Sequence, residues 1–153
     1  MDYRLVAGRA GWSCPVGGIE MDERVKNFVE NTAQTLVGLD VALFYQANPR
    51  TFDTAAGLAL RTHRSVETVE PALGRLARDG ILEAYSRGDG RYQCYALSTE
   101  AEVWNILCLV SEAYHDDPES RKEIVRLLVE RRLRDKESAA QSPESEEEGA
   151  PNE

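Results

Sequence analysis

Side chains that can donate hydrogen bonds to phosphate oxygens are concentrated in the middle of this 153-residue chain. They carry guanidinium, imidazole or hydroxyl groups, and most of them stand close together in the sequence. The candidates are Arg61, His63, Arg64, Ser65, Thr68, Arg75, Arg87 and Arg91. Because such groups make many of the contacts to a nucleic-acid backbone, recognition of phosphate is the first chemistry to consider.

The charge balance argues against a strongly basic surface. The net charge is −9, and residues 137–153 hold six acidic residues and no basic one, which leaves −3 for residues 1–136. Residues 48–98, with seven arginines and six acids, have a net charge of +1. A nucleic-acid binder usually has a larger basic excess, so this balance disfavours that function. Glu67 and Glu70 weaken the case further, although acids near a helix start are also expected because they stabilise the helix dipole.

Other site chemistries find little support. His63 and His115 are far apart and lack metal-ligand spacing, so no metal site is predicted. No phosphate-binding glycine loop or nucleophile motif is present, and we predict neither a cofactor nor an enzymatic activity. The cysteines are Cys14, Cys94 and Cys108, which form neither a disulfide framework nor a zinc cluster. Without an export signal or a membrane-spanning apolar run, a cytoplasmic protein that does not enter the membrane is expected.

The elements that must position these donors can be read from the apolar periodicity. Helical spacing begins at Asp22 and ends before Pro49, with a break expected near Gly38 or Asp40. A short helix capped by Asp53 and a longer one capped by Ser65 follow. The remaining predicted elements are a β-hairpin of 81–86 and 91–97 around Asp89-Gly90, a helix starting after Ser98 or Thr99, and a last helix starting at Pro118.

This order of elements resembles the winged helix-turn-helix family. The matching stretch is TFDTAAGLALRTHRSVETVEPALGRLARDGILEAYSRGDGRYQCYAL, residues 51–97. Within it, Leu73, Leu76 and Gly80 are similar to the end of a recognition helix, and Gly88-Asp89-Gly90 resembles a wing tip. The flanking helices give an outline similar to MarR- and ArsR-like bacterial regulators. The expected fold is therefore mainly α with a small β-hairpin, an α+β winged helix with N- and C-terminal flanking helices.

The resemblance implies roles for the candidate donors. Arg61, His63 and Arg64 would reach phosphates from the turn, and Arg87 and Arg91 would reach the minor groove or backbone from the wing. The helix itself would expose Ser65, Thr68 and Arg75 towards the DNA. Pro71 lacks a backbone N–H, so either the helix kinks there or it begins closer to Pro71 than to Ser65.

The regions outside the winged helix predict a dimer interface, a flexible N-terminal arm and a disordered C-terminal tail. The flanking helices have more apolar surface than one small domain covers, which predicts a homodimer through Trp104, Leu107, Val110, Leu127 and Leu128. Residues 1–21 are expected to form a flexible arm, residues 22–136 the folded domain, and residues 137–153 a disordered acidic tail. Translation could start at Met1 or at Met21.

Two function classes remain open. The first is a bacterial transcriptional regulator that binds double-stranded DNA as a dimer. The second is a winged-helix module for protein–protein interaction that does not bind DNA, because the same fold serves both purposes. The arginines of the turn and wing favour the first class. The negative net charge of the chain and the acids Glu67 and Glu70 favour the second. The target sequence, the effector and the regulated process are not readable from the sequence.

Overall fold

A computed structural model of the chain describes residues 21–141, so the predicted N-terminal arm lies outside the described residues except for Met21. We number the helices and strands in chain order and name the π-helical segment separately. The elements are α1 (Glu23–Asn27), the π-helix (Phe28–Ala33), α2 (Leu36–Ala47), β1 (Phe52–Thr54), α3 (Ala55–Thr62), α4 (Val66–Arg78), β2 (Leu82–Arg87), β3 (Tyr92–Leu97), α5 (Ala101–Asp116) and α6 (Pro118–Gln141). None of these helices is long and apolar enough to span a membrane.

The strands form one antiparallel sheet in the order β1-β3-β2. The predicted hairpin is confirmed, with Leu82 paired with Leu97 and Arg87 paired with Tyr92 at the tip. Strand β1 was not predicted, because a three-residue strand has too few positions to show an alternating pattern. The mainly helical α+β fold with a winged helix-turn-helix arrangement is thus confirmed: α3, a turn and α4 are followed by the β2–β3 wing.

The helix boundaries follow local hydrogen-bond chemistry. The Ser65 side chain accepts a hydrogen bond from the backbone N–H of Thr68 and caps α4, as predicted. The cap of α3 is Thr54, whose hydroxyl oxygen accepts from the N–H of Gly57, so the prediction that Asp53 caps this helix is wrong. Asp53 instead accepts from the N–H of Thr54 at 2.8 Å. A β-region Thr54 directly before the helix takes the position that the carboxylate was expected to fill.

The break in the N-terminal helix lies earlier than expected. The π-helix ends at Gln34, which has a φ of 63°, and α2 starts after the capping residue Thr35. Gly38 is inside α2, where a Cβ atom would lie only 2.2 Å from the carbonyl oxygen of Ala33. The glycine therefore permits close packing of α2 against the π-helix and does not break the helix.

The hydrophobic core lies where α2 meets α4, the sheet and α5. Tyr45 is fully buried at its centre, and its hydroxyl donates a hydrogen bond to the carbonyl oxygen of Tyr95 at 2.7 Å. From the C-terminal helices, Leu107 and Ile124 are also fully buried. The flanking helices therefore share one core with the winged helix.

Helix α6 continues to Gln141, five residues beyond the end of the predicted folded domain at residue 136. The rest of the predicted disordered tail, residues 142–153, lies outside the described residues. The reason for the continuation is visible in the sequence, since the residues from Glu137 to Gln141 include two alanines and contain neither proline nor glycine.

Candidate nucleic-acid interface

The turn between α3 and α4 brings several of the predicted donors to one exposed edge. His63 has a φ of 60° and ends α3, so the chain reverses there before α4 begins. Ser65 and Thr68 lie at the exposed start of α4. Their hydroxyl groups are engaged locally, because Ser65 caps the helix and Thr68 donates to the Ser65 carbonyl oxygen at 2.9 Å.

Two arginines at this edge are held by carboxylates of the same chain. The Nε of Arg61 donates to Asp53 at 2.9 Å, and the Nε of Arg64 donates to Asp40 at 2.9 Å, with a second contact from its Nη2 to the same carboxylate oxygen. Both side chains remain exposed, at 57% and 37%. They can still reach a phosphate, but their positive charge is partly neutralised by the neighbouring acids.

The guanidinium of Arg75 is engaged by acceptors of the same chain. Its side chain turns away from the exposed face of α4 and towards the end of the π-helix, where Nη2 donates to the Thr35 hydroxyl oxygen at 3.0 Å and to the Ala33 carbonyl oxygen at 3.4 Å. Position 75 lies only about 20° around the helix from Thr68, seven residues earlier, so the turn of the helix does not bury it. The length of its side chain lets the guanidinium reach the acceptors at the end of the π-helix. Arg75 is thus only partly exposed, and it lines a cleft that Arg64 and Thr68 also line.

The wing carries cations that lack such restraints. Arg87 ends β2 and Arg91 precedes β3, and both are exposed. Among the residues that the structure describes, neither guanidinium forms a hydrogen bond or an ion pair. Gly88, Asp89 and Gly90 all have positive φ values, so the tip is a tight turn with these arginines at its two ends.

Exposed aromatic rings accompany these wing arginines. Tyr85 and Tyr92 expose 45% and 59% of their surface, and the ring of Phe52 meets that of Tyr85 edge to face at 5.7 Å. The sequence reasoning missed these three residues. The alternation Glu83, Tyr85, Arg87 along β2 was the available signal, because alternate strand residues face the same side.

The acidic residues of α4 remain at the surface. Glu67 and Glu70 are exposed, and Glu70 lines a cleft of about 470 Å³ between α4 and the wing together with Arg91 and Tyr92. The surface formed by α4 and the wing is therefore mixed in charge. Its unpaired arginines lie on the wing together with the carboxylates of Asp89 and Glu83, and α4 adds the carboxylates of Glu67 and Glu70.

The residues predicted for the dimer interface fall into two groups. Leu107, Val110 and Leu128 are at most 2% exposed in the single chain and fill its own core. A second copy could not reach them without opening that core, because α5 and α6 pack these side chains against each other and against α2. Trp104 and Leu127 are partly exposed and pack only at the edge of the core.

The described residues contain no group of three or more histidine, cysteine, aspartate or glutamate side chains arranged to hold a metal ion. Cys94 is buried and Cys108 partly buried, and burial raises the pKa of the Cys108 thiol. The environment of Cys108 therefore disfavours the nucleophilic thiolate.

Comparison with known proteins assigns no family to the chain. No family model matches it, and no curated protein does. Among solved structures, it is similar to a possible transcriptional regulator from Methanosarcina mazei Go1, with 19% sequence identity and a TM-score of 0.47. The match covers 66% of this chain and 85% of that one. At this level the similarity assigns no role to individual residues, so the function has to be argued from the site itself.

Proposed function

We propose that this protein is a transcriptional regulator that binds double-stranded DNA as a homodimer, with the wing as its main cationic contact. The observation that carries the proposal is the pair of exposed, unpaired arginines at the wing tip, Arg87 and Arg91, next to a helix-turn-helix. Arg61 and Arg64 would add weaker phosphate contacts from the turn, because each is shared with a carboxylate.

The charge distribution predicts how the DNA would be approached. Glu67 and Glu70 make the exposed start of α4 unfavourable near phosphates, although a carboxylate in the major groove can accept a hydrogen bond from the amino group of cytosine. Wing contacts to the backbone or minor groove carry little sequence information. We therefore expect moderate affinity on any duplex, and sequence preference only through the few groups that α4 presents.

The proposal is tested by fluorescence anisotropy with a labelled duplex of random sequence at low and moderate salt. A DNA-binding protein should lose affinity steeply as salt increases, because bound arginines release counterions from the DNA. Replacing both Arg87 and Arg91 by alanine should weaken DNA binding about tenfold on every sequence tested. It should also reduce the slope of log affinity against log salt concentration by the equivalent of about two phosphate contacts.

A matched control removes the same charge from another element. Arg134 and Lys136 are exposed on α6, and changing both to alanine should leave the affinity nearly as it is in the wild type. An equal loss of DNA affinity in the two double variants would contradict a specific role for the wing. Absence of binding at low salt would exclude the DNA function and favour the protein-interaction module.

The homodimer part of the proposal rests on the flanking helices. Trp104 on α5 and Leu127 on α6 keep part of their apolar surface exposed, and Leu133 on α6 is 54% exposed. A twofold pair would cover these side chains and place two wings on neighbouring half-sites.

Sedimentation equilibrium separates dimer from monomer directly. Wild-type protein should show about twice the chain mass of 17.1 kDa, and Trp104→Glu should shift the mass to that of one chain. As the control, Leu60→Glu places the same charge on a side chain of α3 that is 77% exposed, and it should leave the dimer intact. A wild-type mass of 17.1 kDa would end this part of the proposal.

A further inference from the structure

A cleft of about 520 Å³ lies between α4 and α6 at the point where the π-helix passes into α2. Part of its wall is formed by apolar side chains from α2, α4 and α6. These apolar residues are Leu36, Val37, Pro71, Leu128 and Val129. A volume of this size and a mainly apolar wall are typical of sites for small organic molecules.

The polar group with the most unusual environment in this cleft is Arg75. Its Nη2 has the two acceptors described above, but its Nε is enclosed and has no hydrogen-bond partner. Its Nη1 also makes no hydrogen bond among the described residues. An enclosed donor of a charged group without an acceptor is unfavourable, and native structures rarely leave one in that state. Because Nε is closed off by the protein itself, Nη1 is the nitrogen of this guanidinium that an anion in the cleft could reach.

The charged groups near Arg75 do not neutralise the positive charge of its guanidinium. Burial, together with the positive charges of Arg78 and Arg131, lowers the pKa of the Arg75 guanidinium. Arg64 and Arg132 also line the cleft, against the carboxylates of Glu67 and Asp135. The carboxylate of Asp135 lies 3.9 Å from Arg131, and Arg64 is bound to Asp40. The cleft thus has a net positive charge, and its inner arginine has no carboxylate of its own.

We propose that this cleft binds a small amphipathic carboxylate, with its carboxylate on Arg75 and its apolar body against Leu128, Val129 and Pro71. A hydrogen bond between an arginine and a carboxylate is strong because both groups are charged, and Arg75 has the unused N–H groups of Nη1 for it. A neutral ligand would leave the positive charge of Arg75 without a counter-charge. An anion without an apolar part would leave the apolar wall of the cleft exposed to water.

The alternative occupant within the chain is its own acidic end. Residues 142–153 include five glutamates, but their only apolar side chains are one alanine and two prolines. This segment has negative charge but little apolar surface. It therefore complements the Arg75 guanidinium but not the apolar wall of the cleft. A small amphipathic carboxylate complements both features.

The ligand would bridge α4 to α6 and so connect the DNA-facing helix to a helix that we assign to the dimer. This consequence rests on the proposed function, whereas binding itself does not. We therefore expect a bound carboxylate to change the affinity for DNA, and we expect direct binding to be measurable without any DNA.

The first experiment titrates the full-length protein with naphthoate by calorimetry, with naphthamide as the neutral compound of the same shape. Naphthoate should bind saturably at one site per chain, and naphthamide about tenfold more weakly. Arg75→Met, which keeps the length of the side chain, should abolish the preference for the anion. Arg24→Met removes an exposed arginine that neither lines the cleft nor acts on Arg75, and it should bind naphthoate like the wild type.

A second variant keeps the proposal testable if Arg75→Met is poorly folded. Val129 is 41% exposed on the apolar wall, so Val129→Glu places a carboxylate there without disturbing the core. This variant should lose naphthoate binding while it retains the wild-type circular dichroism spectrum. Unchanged naphthoate affinity in both variants, or no saturable binding by the wild type, would overturn the proposal even if the protein binds DNA.

A third variant distinguishes the ligand from the acidic end of the chain. In the full-length protein, Glu144, Glu146, Glu147 and Glu148 are changed together to glutamine. The affinity for naphthoate should stay within about twofold of the wild type. If naphthoate binds only to this variant, the cleft is occupied by the chain's own end, and the proposal of a small ligand is wrong.

Discussion

At the scale of single residues, Tyr45 shows how one polar group is accommodated in the core. Its ring is fully buried, and its hydroxyl donates to the Tyr95 carbonyl oxygen in β3 at 2.7 Å. This hydrogen bond joins α2 to the wing strand across the centre of the domain. Burial raises the pKa of Tyr45 far above its usual value, so the hydroxyl keeps its proton and remains a donor.

Tyr45→Phe should lower the free energy of unfolding by about 1–2 kcal/mol, because the carbonyl oxygen of Tyr95 loses its buried donor. Urea denaturation measures the change. Tyr92→Phe is the matched control, since Tyr92 is 59% exposed and should change stability by less than about 0.5 kcal/mol. Equal effects of the two substitutions would show that the buried hydrogen bond contributes nothing specific.

The same residue predicts a pH dependence. The raised pKa means that Tyr45 stays protonated in the folded protein, whereas in the unfolded chain it ionises near its ordinary value. Its stabilising contribution is therefore complete below about pH 10 and is lost as the pH rises further, by up to about 1.4 kcal/mol per pH unit. Wild-type stability should fall more steeply above that pH than the stability of Tyr45→Phe, and parallel curves would contradict this assignment.

Asp40 illustrates how a single carboxylate can regulate the charge of the turn. It binds Arg64 through two contacts, so Asp40→Asn should free this guanidinium for phosphate. We expect DNA affinity to rise about two- to fivefold at low salt and less at high salt. Glu119→Gln makes the same change in net charge on an exposed residue of α6 and should have a smaller effect in the same anisotropy titration.

At the scale of elements, two glycines of the α4 region should respond in opposite ways to one substitution. Gly74 lies inside α4, and a Cβ atom added there would meet nothing within 4 Å, so Gly74→Ala should stabilise the protein by about 0.5–1 kcal/mol through helix propensity. Gly80 has equal space but a φ of 83° after the helix end. Gly80→Ala should therefore destabilise it by about 1 kcal/mol. Thermal or urea denaturation measures both, and a shared sign would refute the backbone explanation.

At the scale of the whole molecule, the acidic end should oppose DNA binding through long-range repulsion. The variant in which Glu144, Glu146, Glu147 and Glu148 are glutamines should bind random duplex DNA more tightly at low salt, and the difference should vanish at high salt. Its melting temperature should match that of the wild type, because the segment has little apolar surface to bury. A lower melting temperature would contradict the expectation of a disordered tail.

The sequence by itself determined the order of elements from α3 to β3 and the expected fold class. Ser65 as a cap, Gly80 at a helix end and Asp89-Gly90 at a hairpin tip act through local backbone chemistry, which a sequence shows directly. The same holds for Pro118 at the start of α6. These features depend on near neighbours in the chain and need no tertiary information.

Only the tertiary structure decided which of the candidate side chains are available for binding. Arg75 lies 40 residues from its partner Thr35, and Arg64 lies 24 residues from its partner Asp40. Leu128 likewise belongs to the core because α6 folds back onto the π-helix and α2. Ion pairing and burial depend on distances in space between residues that are remote in sequence, so periodicity could place these side chains on a helix but could not say what they meet there.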